Sequence, residues 1–502
     1  MFVLDSYHPD KVSLIHDEFA VECVSPDNWQ PSDDLSFVLK LLKRKPQIHT
    51  VIVDHYQLDL SWQQRLKQAI NKLVVIDDLN RQHSCDLVID YKWVSSDQTA
   101  YAELQADKLL GPEYALLSPD YLAGEKLRHQ RENQILLSLG GGGDMTMLAQ
   151  LAESLLSKTA LHHTQLVLVC GPVAINQHSL AELQKRHHQR IQIIDRPVSL
   201  ADYFRRCRLF VGALGTSLYE LAATQTPALT FSIAPNQENS QLNLQPLGHF
   251  FHLNHDEYES TEQLADLAAC LFFNWSRLNA LRQHAPVLVD GMGTQRVARA
   301  IMQRERKVPA AKDTPCHHYH SVLNKQADIL YQQQDYRIRA ATDADVNHYL
   351  QARNRENNAG RMTVNQPIPR TEHYLWWFNQ SRQNYVLEQQ HKPLLYIWHQ
   401  LKQGEKAQYL YGGWFTTQAE LPFQLAMLGL KWQLDYCKTQ HPQAIWLAVI
   451  HKHNKFVGLL NKTMGFATTA EHSTLFHQTR RLFPKASPAE FNFVHLNYGD
   501  QA

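Results

Sequence analysis

The apolar run Leu209-Phe210-Val211 passes directly into Gly212-Ala213-Leu214-Gly215-Thr216-Ser217 and then into an amphipathic segment from Leu218 to Ala223. That order reads as a strand, a glycine-rich turn and a helix start, and it constrains the fold more than any other stretch. Small residues let the backbone come close to a ligand, and a helix N-terminus offers unpaired N–H groups to an anion. Glu220 falls in the first helical turn, where a carboxylate can accept hydrogen bonds from vicinal hydroxyls such as those of a ribose. A second junction of this kind lies upstream, where Ile135 to Leu139 run into Gly140-Gly141-Gly142-Gly143-Asp144. Together the two junctions predict an α/β domain that holds a sugar nucleotide or dinucleotide by its phosphates.

The rest of the first 302 residues follows the same rhythm. Val51–Asp54, Leu73–Asp77 and Leu87–Asp90 each read as a buried parallel strand ending in an acid, with helical spacing between Leu58 and Lys72. Further strands are expected at Ile135–Leu139, Leu166–Cys170, Ile191–Ile194, Leu209–Val211 and Ala228–Phe231, and a terminal helix near Thr294. Alternating strands and helices imply two doubly wound lobes, residues 1–132 and 133–302. Residues 303–335 break the pattern with polar and proline-containing segments and read as a linker. A different module spans 336–490. Its strands, Tyr336–Arg339, Tyr385–Glu388, Leu394–Trp398, Gln408–Phe415 and Ala444–Ile450, are expected to be antiparallel, with a helix from Pro422 to Thr439. That is an α+β pattern.

Bulk composition narrows the function. Lys+Arg and Asp+Glu each total 49, so the formal net charge is zero and no broad basic field is available for nucleic acid. The seven cysteines are scattered with no Cys-x-x-Cys pair, which suggests neither a disulfide framework nor a zinc ribbon. No apolar run approaches a membrane span, and no signal peptide opens the chain, so a cytoplasmic address and no membrane partner are expected. The 28 histidines recur without ligand spacing, and no metal site is expected.

Seven motifs in one order give the first 302 residues a family resemblance. They are Val53-Asp54-His55-Tyr56; Ile76-Asp77-Asp78 with Cys85-Asp86; Gly111 to Leu117; Leu139-Gly140-Gly141; Gly212 to Glu220; Asn236-Gln237-Glu238-Asn239; and Asp290-Gly291-Met292-Gly293. The region resembles the UDP-2,4-diacetamido-2,4,6-trideoxy-β-L-altropyranose hydrolases of pseudaminic acid biosynthesis, which have the GT-B fold of paired Rossmann-type lobes. The resemblance implies that Gly140, Gly141 and Gly142 lie near the phosphates. It implies that Ala213, Leu214 and Ser217 present N–H groups, that Glu220 takes the ribose, and that Gln237 and Glu238 also bind UDP. Tyr56 and Asn236 match positions lining the sugar and attacking water, so they are the catalytic candidates. The implied reaction is displacement of UDP from the anomeric carbon by water, with inversion and without cofactor or metal. The implied partners are a UDP-sugar and other enzymes of that pathway. The family's opening strand and its Gly-x-Gly-His turn have no counterpart in the sequence, where Met1-Phe2-Val3-Leu4 resembles the family's second strand. An incomplete first lobe with an uncovered sheet edge or apolar surface is the expectation.

The last module is similar to GNAT-type N-acetyltransferases. Ile338 to Asp345, Arg353-Asn354, Arg361-Met362, Glu372 to Phe378, Asn454, Asn461-Lys462 and Met464-Gly465-Phe466 carry that likeness. It implies acetyl-CoA as a cofactor and an amino-sugar nucleotide as acceptor. The family's glycine-rich pyrophosphate turn is replaced here by Phe415-Thr416-Thr417-Gln418-Ala419-Glu420-Leu421-Pro422, with no glycine and an added acid. The alternatives to hydrolysis are therefore a UDP-sugar-binding or scaffolding protein and an N-acetyltransferase acting through this module.

Several of these residues also have plainer roles. Asp77 and Asp78 read best as helix caps following a strand. Trp376-Trp377-Phe378 reads as core, and His373 as structural. For Asn236, after Pro235 in a polar loop, a turn role and a substrate role compete evenly.

Overall fold

The computed structural model describes residues 1–4, 12, 15, 18–24, 30–93, 101–122, 131–237, 244–302, 327–405 and 407–498. The chain divides into two compact units, Met1–Cys316 and His317–Ala502.

The first unit opens with β1 (Phe2–Leu4) and β2 (Val21–Cys23), a parallel pair with its own small sheet. A four-stranded parallel sheet follows, β3 (Thr50–Val53), β4 (Lys72–Ile76), β5 (Leu87–Asp90) and β6 (Asp107–Leu110), in that spatial order. The runs in β4 and β5 are apolar without interruption because both faces are covered. Leu73, Val75 and Val88 enter a cluster with Leu35, Val38, Trp62 and Leu66. Val74, Leu87 and Ile89 point the other way, toward Leu109 and Val297. Val297 belongs to the helix Gly293–Met302, which returns to this sheet from far along the chain. Lys72 Nζ donates to the carbonyls of Ala300 and Ile301, both at 2.8 Å, and so closes that helix's C-terminal end. Among the described strands β3 stands at one edge of this sheet, and its Ile52 is 51 % exposed.

The second sheet of this unit contains β7 (Glu132–Ser138), β9 (Gln165–Cys170), β11 (Ile191–Asp195), β12 (Cys207–Ala213), β13 (Ala228–Phe231) and β14 (Phe251–Leu253). All are parallel, in the order β11-β9-β7-β12-β13-β14. Beside it, β8 (Gly142–Asp144) and β10 (Val173–Ile175) form a short parallel ribbon. The chain winds outward from β7 through β9 to β11, then crosses back to place β12 on the other side of β7. Strand order thus reverses between β7 and β12, and in open parallel sheets that reversal opens a crevice at the carboxyl ends. The two strands approach closely at Gly212, where a Cβ would stand 1.9 Å from the Ser138 carbonyl oxygen. Only glycine fits there.

The second unit is a single mixed sheet of β15 (Ile329–Gln333), β16 (Tyr336–Ala340), β17 (Gln383–Gln389), β18 (Lys392–Gln403), β19 (Gln408–Thr416), β20 (Ile445–His451), β21 (Ala467–Thr468) and β22 (Phe491–Asn497). Their order is β15-β16-β17-β18-β19-β20-β22-β21. Arg339, fully buried, is held by Asp345 at 2.7 and 2.8 Å and by Glu388 at 2.9 Å, so that part of the acetyltransferase-like motif is structural.

Three sequence expectations change here. The stretch read as linker ends in β15, which pairs with β16 through a turn in which Gln334 has φ 52°. The module runs past residue 490, because β22 pairs with β20 along its whole length. The sheet is also not wholly antiparallel: β19 and β20 are parallel, joined by the crossover helix Phe423–Gln440. No described helix is long and apolar enough to cross a membrane.

Candidate functional site

In the first unit a cavity of ≈ 780 Å³ lies between the carboxyl edges of the two parallel sheets. Asp54, His55 and Tyr56 line it just beyond β3, Asp77 and Asp78 beyond β4, and Tyr91, Lys92 and Trp93 beyond β5. The opposite wall is Leu214, Gly215 and Thr216 of the turn after β12, with Leu218, Tyr219, Gln237 and Leu244. The Trp93 N–H donates to the Tyr219 hydroxyl at 2.9 Å, and the Tyr91 and Tyr219 rings meet edge to face at 5.5 Å. These contacts tie the walls together.

Among the candidates, Tyr56, Leu214 and Gln237 share this cavity. Ala213 ends β12 and Ser217 begins the helix Ser217–Ala223, so they flank the turn without lining the cavity. Gly140 and Gly141 follow β7 on the neighbouring strand end, against Gly171 after β9. Gly142 starts β8, with its Cβ position 2.7 Å from the Val173 side chain. All these turns lie on the carboxyl side of the crevice between β7 and β12. Glu220 is half-buried in the helix Ser217–Ala223. Burial raises its carboxyl pKa, opposed by a bond from the Tyr121 phenol. Gln237 is turned inward, and its Oε1 accepts from the Ile233 N–H at 2.9 Å. Asn236 falls in a short 3₁₀ turn, Pro235–Gln237, and its side chain is outside the description. Glu238 lies outside the described residues.

The acids after β4 correct a sequence expectation. Neither Asp77 nor Asp78 caps a helix; the helix Leu60–Lys67 is capped by Asp59, which accepts from the Trp62 N–H. Asp77 is instead a buried hub. It accepts from Arg81 Nε at 2.7 Å, from the Arg81 N–H at 3.0 Å and from the Tyr101 phenol at 2.8 Å, with His83 Nε2 at 3.2 Å. Burial alone would raise its pKa, but the bonds from His83, Arg81 and Tyr101 outweigh it and hold the carboxyl far below its ordinary value. Tyr101 also reaches Asp90 at 2.9 Å, and burial raises the Asp90 carboxyl, so Asp90 protonates first. Arg81 extends outward from the hub, donating to the Tyr56 carbonyl at 2.5 Å with its guanidinium over the Tyr56 ring. The Tyr56 hydroxyl donates to Asp78 at 3.0 Å. Tyr56 is largely exposed, and slight desolvation together with the Asp78 carboxylate pushes its pKa up, so it stays a donor. The Asp54 carboxyl is raised by burial and by Asp78. Lys92, a cation of the cavity wall, was invisible in sequence except as a residue just past a strand end.

Two cavities of the second unit adjoin along β19. After the pairs Tyr409↔Ile445 and Leu410↔Trp446, β19 and β20 diverge. Between them is a cleft of ≈ 450 Å³, walled by Gly412, Gly413 and Trp414 on one side and Ala448, Val449 and Ile450 on the other. Beyond β19 lies a cavity of ≈ 560 Å³ with an aromatic wall and one carboxylate, Glu372. The two share Arg361, Met362, Gly412, Gly413, Trp414 and Val449. Gly412 is required by strand packing, since a Cβ there would stand 2.3 Å from the Trp398 carbonyl oxygen. Arg382 stacks 3.9 Å over Trp398 and 5.4 Å over Trp376 in the second cavity. Trp377 and Phe378 are core as expected, whereas Trp376 faces this cavity. His373 is buried, bonded to the Val346 carbonyl, and burial lowers its pKa to about 4.

The residues fit acetyl-CoA only in part. The divergent inner edges of β19 and β20 suit an amide-bearing arm such as pantetheine. The loop where a diphosphate would follow does not suit an anion. Asn357 fastens it through the Gln418 and Ala419 carbonyls at 3.2 and 3.1 Å, and Glu420 faces the cleft. Pro422, which has no N–H, precedes the helix, and the Phe423 and Phe456 rings meet edge to face at 5.6 Å beside it.

No protein-family model matches the chain, and no curated protein matches it. Among solved structures, the chain is similar over about a third of its length to acetyltransferases. A ribosomal-protein-S5-alanine acetyltransferase from Vibrio fischeri is 10 % identical, covering 35 % of this chain and 100 % of that one, at a TM-score of 0.27. An N-acetyltransferase from Staphylococcus aureus Mu50 is 12 % identical, covering 33 % and 99 %, at 0.26. A protein from Salmonella typhimurium described as a putative acetyltransferase, solved with its cofactor acetyl-CoA, is 14 % identical, covering 33 % and 95 %, at 0.26.

Proposed function

We propose that the first unit is a GT-B-type nucleotide-sugar hydrolase. In this reading it releases UDP from UDP-2,4-diacetamido-2,4,6-trideoxy-β-L-altropyranose in pseudaminic acid biosynthesis, alongside other enzymes of that pathway. The supporting observation is the crevice at the reversal of strand order between β7 and β12. Its glycine turns adjoin a cavity whose far wall carries Asp54, Tyr56 and Lys92. In this reading the diphosphate lies against the turns after β7 and β12, with Lys92 as counter-charge and Glu220 on the ribose. Water attacks the anomeric carbon and forms the new C–O bond. The bond to the diphosphate oxygen breaks, and its electron pair leaves with UDP. We assign the water's proton to Asp54, the cavity carboxylate with a raised pKa. Tyr56, held as a donor by Asp78, orients the sugar.

The test is UDP release by the full chain from that substrate, together with UDP calorimetry. Asp54→Asn should slow release by ~10²–10⁴-fold while leaving UDP affinity unchanged. UDP binding without turnover would leave a binding or scaffolding protein, and no UDP binding would end the reading altogether.

A second reading has its own observation in the second unit. Two cavities meet at Gly412–Trp414, one of them flanked by diverging strand edges. That arrangement suits acyl transfer, with the acyl carrier between β19 and β20 and the amine acceptor in the aromatic cavity. Transfer from a thioester to an amine, followed as thiol release, tests it.

A further inference from the structure

We propose that the cleft between β19 and β20 takes a pantetheine-type acyl carrier that lacks a nucleotide diphosphate, and that it discriminates against coenzyme A. The inference rests on the acyl-transfer reading of this cleft and specifies its ligand.

Two features separate the inner and outer ends of the cleft. At the inner end, strand pairing stops after Leu410 and Trp446, while β19 continues to Thr416 and β20 to His451. Asn358 takes the last step of β19, donating to the Thr416 carbonyl at 2.7 Å and accepting from its N–H at 3.3 Å, so an amide-bearing chain laid in the cleft as an added strand would bond the facing edges at Gly412 and Trp414. Gly413 leaves room for it, because a Cβ there would meet the Trp398 indole only at ordinary contact distance, 3.4 Å. The outer end is built against an anion. An acceptable diphosphate site presents convergent N–H groups or cations. Here residues 417–422 contribute neither glycine nor cation, and Arg361, the guanidinium in the cleft lining, is shared with the aromatic cavity beside Gly412–Trp414 at the inner end. Two of their carbonyls are drawn to Asn357. Glu420 adds a negative charge to the wall, and Phe456 adds an exposed ring that a hydrated phosphate would have to displace. A diphosphate brought to this end meets repulsion and loses water without compensation. A carrier that ends at a hydroxyl does not.

The experiment compares S-acetyl-pantetheine with acetyl-CoA by calorimetry on the full chain, at low and high salt. Acetyl-pantetheine is expected to bind more tightly than acetyl-CoA. The acetyl-CoA affinity should rise with salt, as screened repulsion requires. Glu420→Gln should tighten acetyl-CoA by roughly fivefold while leaving acetyl-pantetheine unchanged, which also reports an intact fold. Acetyl-CoA binding as tightly as acetyl-pantetheine or tighter, or weakening with salt as at an ordinary phosphate site, would overturn the proposal. Binding of neither compound would remove the acyl-transfer reading beneath it, an outcome distinct from preference for the wrong carrier.

Discussion

Glu220→Gln separates a ribose-binding acid from a structural one. The carboxyl sits half-buried in the first turns of the helix Ser217–Ala223, within reach of the Tyr121 phenol, and burial raises its pKa. An ionised Glu220 is thus held at a cost in the free protein. If ribose hydroxyls donate to it, the charge-assisted bonds offset that cost in the complex. A hydrogen bond to a charged group contributes about 1.5–3 kcal/mol, so the neutral amide should weaken UDP by roughly 10- to 150-fold. The substitution removes a buried charge and keeps an acceptor for Tyr121, so thermal stability should stay level or rise. The pH dependence has a definite sign. A carboxyl raised in the folded state favours folding most when protonated, below its unfolded value near 4.5, and that contribution is lost as pH rises through the folded value. Ribose binding needs the ionised form, so wild-type affinity should fall as pH drops through that raised pKa, and the Gln variant should keep only the dependence set by the UDP terminal phosphate, which titrates at about 6. Calorimetry with UDP between pH 4.5 and 7.5 reads both. UDP affinity of the variant within about twofold of wild type, with an unchanged pH profile, would refute ribose binding by Glu220.

Other perturbations test the framework around the sites. Asp77→Asn removes the charge that holds Arg81 in a buried hub, and urea denaturation should register a loss of about 3–5 kcal/mol. Because the Asp77 carboxyl is lowered in the folded protein, its contribution is present above the unfolded value and is lost on acidification, a dependence the variant should lack. In the second unit, burial lowers His373 and His399 to about 4. Each favours folding fully above about 6.5 and loses up to roughly 3 kcal/mol as pH falls toward 4. Melting curves at pH 7 and 4.5 should show this loss, reduced by His373→Asn. Gly412→Ala should destabilise the unit by about 1–3 kcal/mol or more, because its Cβ meets the Trp398 backbone. Gly413→Ala should stay within about 0.5 kcal/mol; equal effects at the two positions would contradict the strand geometry.

The buried parallel strands were legible because a strand covered on both faces must be apolar throughout, as in Leu73–Ile76 and Leu87–Ile89. β6 was not, since Asp107-Lys108-Leu109-Leu110 offers only two apolar residues, and β14 interrupts its pair with His252. Parallel pairing of β19 with β20 could not be read from either run, because it depends on where the intervening helix delivers the chain. The turn after β12 was visible as composition, glycine beside small residues after an apolar run. Asp77 misled because an acid after a strand commonly caps a helix, and only tertiary contacts show that Arg81, His83 and Tyr101 converge on it. Arg81 and Lys92 carried no local signal, since a lone cation in a polar stretch is ordinary.

The return of the helix Gly293–Met302 to the first sheet bears on how the molecule is made. During synthesis, Val74, Leu87 and Ile89 leave the ribosome long before Val297, their eventual cover, and Lys72 waits 228 residues for its carbonyl at Ala300. One face of these parallel strands must therefore stay wet, or be shielded by a chaperone, until the helix Gly293–Met302 emerges. Nascent chains ending before residue 293 thus carry this face without its described cover.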